Sequence, residues 1–232
     1  MSRNYTSEFN DLIKNTLAKP LKKIGFKKSN LNFMCPQNGF AQTCNVQRSR
    51  FNHIDSINFT INIGMYIPIV SEILTNSSKI STFPKPDDCY IRVRTGHLIY
   101  SRDYWYELNE SVSLDSLTPQ LAKDVNDYLI PMFQQYVSID SLLDLARIDY
   151  YERKYKLGVD IDAYAILELE YGDFKRGKSL LLSEYNQAII PKIIESKRVY
   201  PDGHEEIITY EGVGKYRIEC LKRIACRYKI KL

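Results

Sequence analysis

The stretch SINFTINIGMYIP, Ser56 to Pro68, leaves this chain the least freedom. Ile57, Phe59, Ile61, Ile63, Met65 and Ile67 alternate with Asn58, Thr60, Asn62 and Gly64. A period of two is that of a β-strand with one apolar and one polar face. Slipping the register by one residue would turn the whole apolar row into water, so pattern and pairing fix each other. The strand therefore needs a core on one side. It also sets two asparagines and a threonine in line on the other, although asparagine is a poor strand former.

The neighbouring sequence supplies partners. FKKSNLNFMCP and FAQTCNVQRSR flank QNG, where Asn38-Gly39 is a hairpin signal. CYIRVRTGHLIY reads as a fourth strand with Ile91 and Val93 on one face. Ahead of the strands, Phe9, Leu12, Ile13, Leu17, Leu21 and Ile24 recur at helical steps. Thr6 or Ser7 is the expected cap, Pro20 the expected kink or break and Gly25 the stop. PIVSEIL reads as a short helix. Beyond DYWYELNESVSLDS the periodicity is helical: LTPQLAKDVNDYLIPMFQQYVS, then IDSLLDLARIDYYERKYKLG, then a helix, a Gly-Asp turn and a second helix in DIDAYAILELEYGDFKRGKSLLLSEYNQ. That turn resembles one tetratricopeptide hairpin, but no second copy follows at a matching period. A mobile PDGHEE stretch and a basic helix close the chain. The expected fold class is α+β: an N-terminal helix on an antiparallel sheet of about four strands, residues 1–110, then an all-helical domain, residues 111–232.

The segments LKKIGFKKSNLNF, VQRSRFN, FTINIGMYIP, CYIRVRTGHL and DYWYEL, in this order, resemble the bacterial proteins grouped as the domain of unknown function 4304 family. QRS followed by F-T-x-N-x-G is more specific than general strand grammar. The likeness spans Phe9 to Leu108. It implies an α+β domain from a bacterium and brings no activity, substrate or catalytic residue with it.

Composition excludes several classes. The 232 residues are 44% hydrophobic and 26% charged, ordinary globular values that exclude global disorder. The five cysteines form no C-x-x-C pair, which argues against a disulfide framework or zinc finger and for free thiols in a reducing compartment. With no apolar run of signal or membrane-spanning kind, the expectation is a cytoplasmic protein. His53, His97 and His204 lack ligand spacing, so no metal, cofactor or catalytic residue is assigned. G-x-S-x-G, a phosphate loop and a dinucleotide fingerprint are all missing from the sequence.

The polar rows remain. Successive strand side chains alternate faces, so Thr43, Asn45, Gln47 and Ser49 lie opposite Cys44 and Val46. Asn58, Thr60 and Asn62 form the next row, and Tyr90, Arg92 and Arg94 the last. If these strands are neighbours, one face of the sheet is laid out in amides, hydroxyls and guanidinium groups. It is then a solvated face, a face under the later helices, or a shallow surface for a ligand or partner. The candidate surface comprises Gln47, Ser49, Asn58, Thr60, Asn62, Arg92, Arg94 and, as a stacking residue or aromatic anchor, Trp105. Arginines would grip a carboxylate or phosphate and amides would orient it. The reading is a binding or adaptor module for a protein partner, with no membrane role. A nucleic-acid binder is the first alternative, since Lys215 to Leu232 holds seven basic residues against Glu219 alone. An unfamiliar hydrolase using His97, Asp87, Asp88 or Asp103 is the second.

Overall fold

A computed structural model describes residues 4–152 and 158–232. The chain forms two compact units, Met1–Tyr164 and Ala165–Leu232.

The first unit opens with α1 (Tyr5–Ile13), capped by Asn4, whose side chain accepts the Ser7 N–H, rather than by Thr6 or Ser7. Pro20 does not break this helix. A π-helical turn, Lys14–Ala18, widens the backbone ahead of it, and α2 (Lys19–Lys23) continues with Pro20 in its first turn. The same device recurs at Pro131. There α5 (Leu114–Asp124) passes through a π turn, Val125–Leu129, into α6 (Ile130–Gln135). A proline cannot donate to the preceding turn and collides with its carbonyl. A wide turn placed before it relieves both problems. Phe9, Leu12, Ile13, Leu17 and Leu21 are all buried, as their spacing requires.

The antiparallel sheet expected with about four strands is present and has six. FKKSNLNFMCP folds on itself as β1 (Lys27–Ser29) and β2 (Asn32–Pro36), because Asn30 takes a left-handed φ of 54° between them. β3 (Ala41–Arg48) and the long β4 (Ile57–Tyr66) follow, then α3 (Pro68–Thr75). β5 is short, Ile91–Arg94, since Thr95–Tyr100 turns into a helix, α4, where a strand was expected. β6 (Tyr106–Leu108) closes the sheet. All pairs are antiparallel in the order β1-β2-β3-β4-β5, and β6 also pairs with β4. Thus β4 shares one edge between two strands: Ile57 to Phe59 meet β6, and Asn62 to Met65 meet β5.

The first helices after residue 110, α5 and α6, go with the sheet in the first unit, and polar anchors hold them there. Gln42, buried on the apolar face, donates through Nε2 to the carbonyls of Phe133 and Tyr136, both at 2.7 Å, and so satisfies the end of α6. Asp124, buried at the end of α5, accepts the hydroxyls of Tyr100 at 2.5 Å and Tyr106 at 2.7 Å. Gln120 bonds the hydroxyls of Tyr100 and Tyr104. Tyr106 stacks on Phe59, which in turn meets Phe9 edge to face. The abundance of tyrosine thus has a use: rings fill the core and hydroxyls bond to α5.

Burial, followed by the hydrogen bond to Asp124, pushes the Tyr100 hydroxyl up to about 12 and raises Tyr106 as well. A free tyrosine ionises near pH 10. The folded state holds these protons more tightly, so this stabilisation is complete below about pH 10 and is lost as pH rises through about 12. In an alkaline titration followed by tyrosinate absorbance, the last tyrosines should ionise together with loss of the folded circular dichroism signal. Full ionisation of all tyrosines near pH 10 in folded protein would contradict the network.

α7 (Ile139–Glu152) ends the described helical run. The rest of the expected helix in ERKYKLG, residues 153–157, lies outside the described residues. Gly158 and Asp160 then donate their N–H groups to the carbonyls of Arg92 and Tyr90, running along the outer edge of β5. α8 (Ile161–Tyr171) crosses the boundary between the units.

The second unit holds the helical hairpin expected from the Gly-Asp turn. Asp173 caps α9 (Phe174–Ala188) by accepting the N–H groups of Lys175 and Arg176. Gly177 lets the helices close: a Cβ there would sit 2.9 Å from the Ala165 carbonyl and 2.8 Å from the Leu169 nitrogen. This unit is not all helical. A β-ribbon of β7 (Lys192–Val199) and β8 (Glu205–Gly212) leads into α10 (Lys215–Arg227), and PDGHEE, read as mobile, spans its tip and the start of β8.

Candidate functional site

The register brings the polar rows together. Gln47 lies opposite Thr60, Asn45 opposite Asn62, Asn62 opposite Arg94 and Gly64 opposite Arg92. Cross-strand partners project from the same face, so these side chains form one layer. The apolar set, Cys44, Val46, Ile57, Phe59, Ile61 and Ile63, is buried on the other side.

The asparagines are held by amide bonds across the strands. Asn62 Nδ2 donates to Asn45 Oδ1 at 2.9 Å and to Gln47 Oε1 at 3.0 Å. Both acceptor oxygens are thereby engaged, and the amide N–H groups of Asn45 and Gln47 have no partner among the described residues. The face consequently presents donors. Arg94 grips both oxygens of Asp103 at 3.0 Å and lies 5.3 Å from the Trp105 ring, whose Nε1 also donates to Asp103. Partial burial works against the Asp103 carboxylate, but hydrogen bonds from Arg94 and Trp105 outweigh it and hold the group below the usual carboxylate range. Arg92 is less constrained: it donates to the Asp87 carbonyl at 3.2 Å and is half exposed.

Two adjoining depressions open on this face and share Gln47. The first, about 420 Å³, is lined by Gln47, Asn62, Arg92, Arg94, His97 and Asp87 among others. The second, about 590 Å³, is lined by Gln47, Arg48, Ser49, Arg50, Phe51, Asn58 and Trp105. Seven of the eight candidate residues therefore border open concavities. Thr60 does not: it is fully buried and donates to the Tyr104 carbonyl across the gap between β5 and β6. Ser49 and Asn58 reach the rim but also serve the β3–β4 loop. Ser49 accepts the Phe51 N–H, and Asn52 bonds both backbone groups of Asn58.

That loop holds what sequence reasoning missed. Phe51 is 70% exposed and Ile54 97% exposed at its tip. Arg48 leaves the strand to lie over the Phe9 ring, and Arg50 over Phe51. The signal was available in RSRFNHI, where a polar hairpin loop carries two large apolar side chains that no core demands.

The groups named for hydrolysis are divided. Asp87 and His97 border the first depression; Asp88 borders an adjoining one of about 530 Å³ with Asp160, which Asp87 and Arg92 also line. Asp103 is held by Arg94 and Trp105. Burial raises the thiols of Cys35 and Cys44, and Cys89 to about 12, so none of the three is an activated nucleophile. Among the described residues there is no group of three or more His, Cys, Asp or Glu side chains placed to hold a metal, and no helix long and apolar enough to cross a membrane.

A family model, described as "Domain of unknown function (DUF4304)", matches residues 17–135. The chain belongs to this family. The DUF4304 match takes in the whole sheet, α5 and α6, and so extends past the Leu108 limit of the motif resemblance. It includes all eight candidate residues together with Gln42, Asp124 and the exposed loop. Comparison with curated proteins and with solved structures returns no match.

Proposed function

We propose that this DUF4304 protein is a non-enzymatic binding module that engages a protein partner across the polar face of its sheet. The carrying observation is the bare Phe51, which lines one depression with Trp105, Arg48 and Arg50 at the edge of a donor-rich floor, with Ile54 bare on the same loop. Interface hot spots are enriched in Trp and Arg, and large apolar side chains left in water mark contact sites. Around these anchors, the free amides of Asn45 and Gln47 and the guanidinium of Arg92 suit an extended segment that offers backbone carbonyls and carboxylates. Free cysteines, four of five buried, support a reducing, cytoplasmic setting, and a bacterial one is what the motif resemblance implies. The basic tail that favoured nucleic acid is partly neutralised, since Arg217 meets Glu184 at 2.7 Å and Lys222 meets Glu219.

The test is selection from a displayed library of random dodecapeptides, followed by titration of the recovered peptides. Expected is binding that weakens about tenfold or more in each of Phe51→Ser, Trp105→Ala and Arg92→Ala. These side chains are exposed or half-buried, so the fold should survive, and circular dichroism would verify it. Two results would refute the reading. One is a set of peptides indifferent to all three changes. The other is a single-stranded oligonucleotide that binds instead, with the steep salt dependence of phosphate contacts.

A further inference from the structure

Between Asp11 and Asp55 the chain carries eight lysines and arginines and no carboxylate. Five of these lysines, Lys14, Lys19, Lys22, Lys27 and Lys28, ring a depression of about 580 Å³ made by the π turn, α2 and the β1–β2 hairpin. It shares no lining residue with the depressions of the polar face. Its floor is apolar, built on Phe26 and Phe33, with Phe26 packed on Phe133 at 4.7 Å between ring centroids. All five lysines are exposed, and none pairs with a carboxylate among the described residues.

Ordinary structural duties account for part of this ring. Lys22 sits in the last turn of α2, where a cation favours the helix dipole. Lys27 and Lys28 occupy an edge strand paired on one side only, and lysine discourages edge-to-edge pairing. Neither duty applies to Lys14 and Lys19, and gathering five like charges opposes folding. Some surface cations elsewhere meet acids, such as Arg94 with Asp103, Arg147 with Asp144 and Lys197 with Glu205, and others, such as Lys79 and Lys123, stand singly among the described residues. What sets the ring apart is the gathering of five lysines around one depression with no carboxylate in its lining, and its complement is a dense negative charge surrounding something apolar.

We propose that this lysine-ringed depression docks an acidic segment of a partner protein that seats one large apolar side chain over Phe26 and Phe33. The floor selects the apolar residue and the ring selects its flanking carboxylates. A flat anionic membrane would meet the lysines yet leave the recessed floor empty. An isolated acyl chain would remain largely wet in a concavity so open to solvent, whereas a protein segment brings its own surface to close it.

The test uses the full chain and the triple variant K14E/K22E/K28E, whose changes are all at exposed positions. A fluorescent dodecapeptide of Glu and Asp around one central Phe is titrated by anisotropy, beside its Phe→Ser version. Expected is binding to the wild-type chain, weakened about tenfold or more by the central Ser and by the triple variant, and unchanged by Phe51→Ser or Trp105→Ala. Insensitivity to the central Phe or to the triple variant would overturn the proposal. So would association with phosphatidylserine vesicles in place of the peptide. Loss of binding in the Phe51 and Trp105 variants instead would overturn it too, assigning the peptide to the polar face and leaving the reading of that face intact.

Discussion

Asp124→Ala should destabilise the first unit by about 3 kcal/mol, since hydrogen bonds to a charged group are the stronger kind and their loss strands buried partners. The carboxylate accepts two tyrosine hydroxyls, one from α4 and one from β6. Alanine leaves the Tyr106 hydroxyl buried without that acceptor. Asp124→Asn keeps a carbonyl oxygen in place and should cost less. Tyr106→Phe removes the buried donor along with its need and should cost about 1 kcal/mol. Urea denaturation gives these values, and the Asp124→Ala/Tyr106→Phe double mutant should be less destabilised than the two single changes added together. Additive losses would show that the two groups act separately. Because α4 and Tyr104 flank Asp103 and Trp105, the alanine variant should also speed amide exchange in residues 95–106, beside the polar face.

The second large effect is expected in the other unit. Glu168 is fully buried, accepting the Asp173 N–H at 2.9 Å and the Arg176 guanidinium at 3.1 Å. It fastens the turn between α8 and α9 from the inside. Glu168→Ala leaves a cation and a turn amide without these acceptors, at a cost of about 3 to 4 kcal/mol. Glu168→Gln keeps an acceptor but loses the charge, and should fall near half of that. Hydrogen exchange localises the effect: amides from Gly172 to Leu181 should lose protection in the alanine variant. Protection unchanged there would mean the carboxylate is dispensable.

What the sequence made legible follows from which forces are local. Alternation along Ile57 to Ile67 carried the strand, its buried face and the opposing row of Asn58, Thr60 and Asn62, because period two is imposed by backbone geometry alone. Helical spacing did the same for Phe9 to Leu21. Boundaries were harder. Thr95 to Tyr100 is half apolar and suits strand or helix, and contacts outside the segment choose helix: Gly96 packs against Tyr104 so closely that a Cβ would stand 2.5 Å from its nitrogen. Pro20 reads as a kink or break because a π turn leaves no mark in composition. Thr60 shared its row with the asparagines, yet the Tyr104 carbonyl covers it, and nothing local announces a loop returning overhead. The exposed loop went unnoticed for the opposite reason. Nothing among the described residues buries Phe51 or Ile54, and no strand or helix period singles out an apolar side chain within a loop.

The divided edge of β4 has a further consequence. β5 and β6 are pinned to the same strand, so residues 95–105, which leave it and come back, form a detour with fixed ends. Gly96, Tyr100 and Tyr104 tie parts of this detour to the fold, but the exposed Ser101 to Asp103 between them can be exchanged without disturbing the pairing on either side. Trp105 and Asp103 lie on it, next to the arginines. Relatives could diverge in what they recognise by rewriting this one excursion while inheriting the scaffold unaltered.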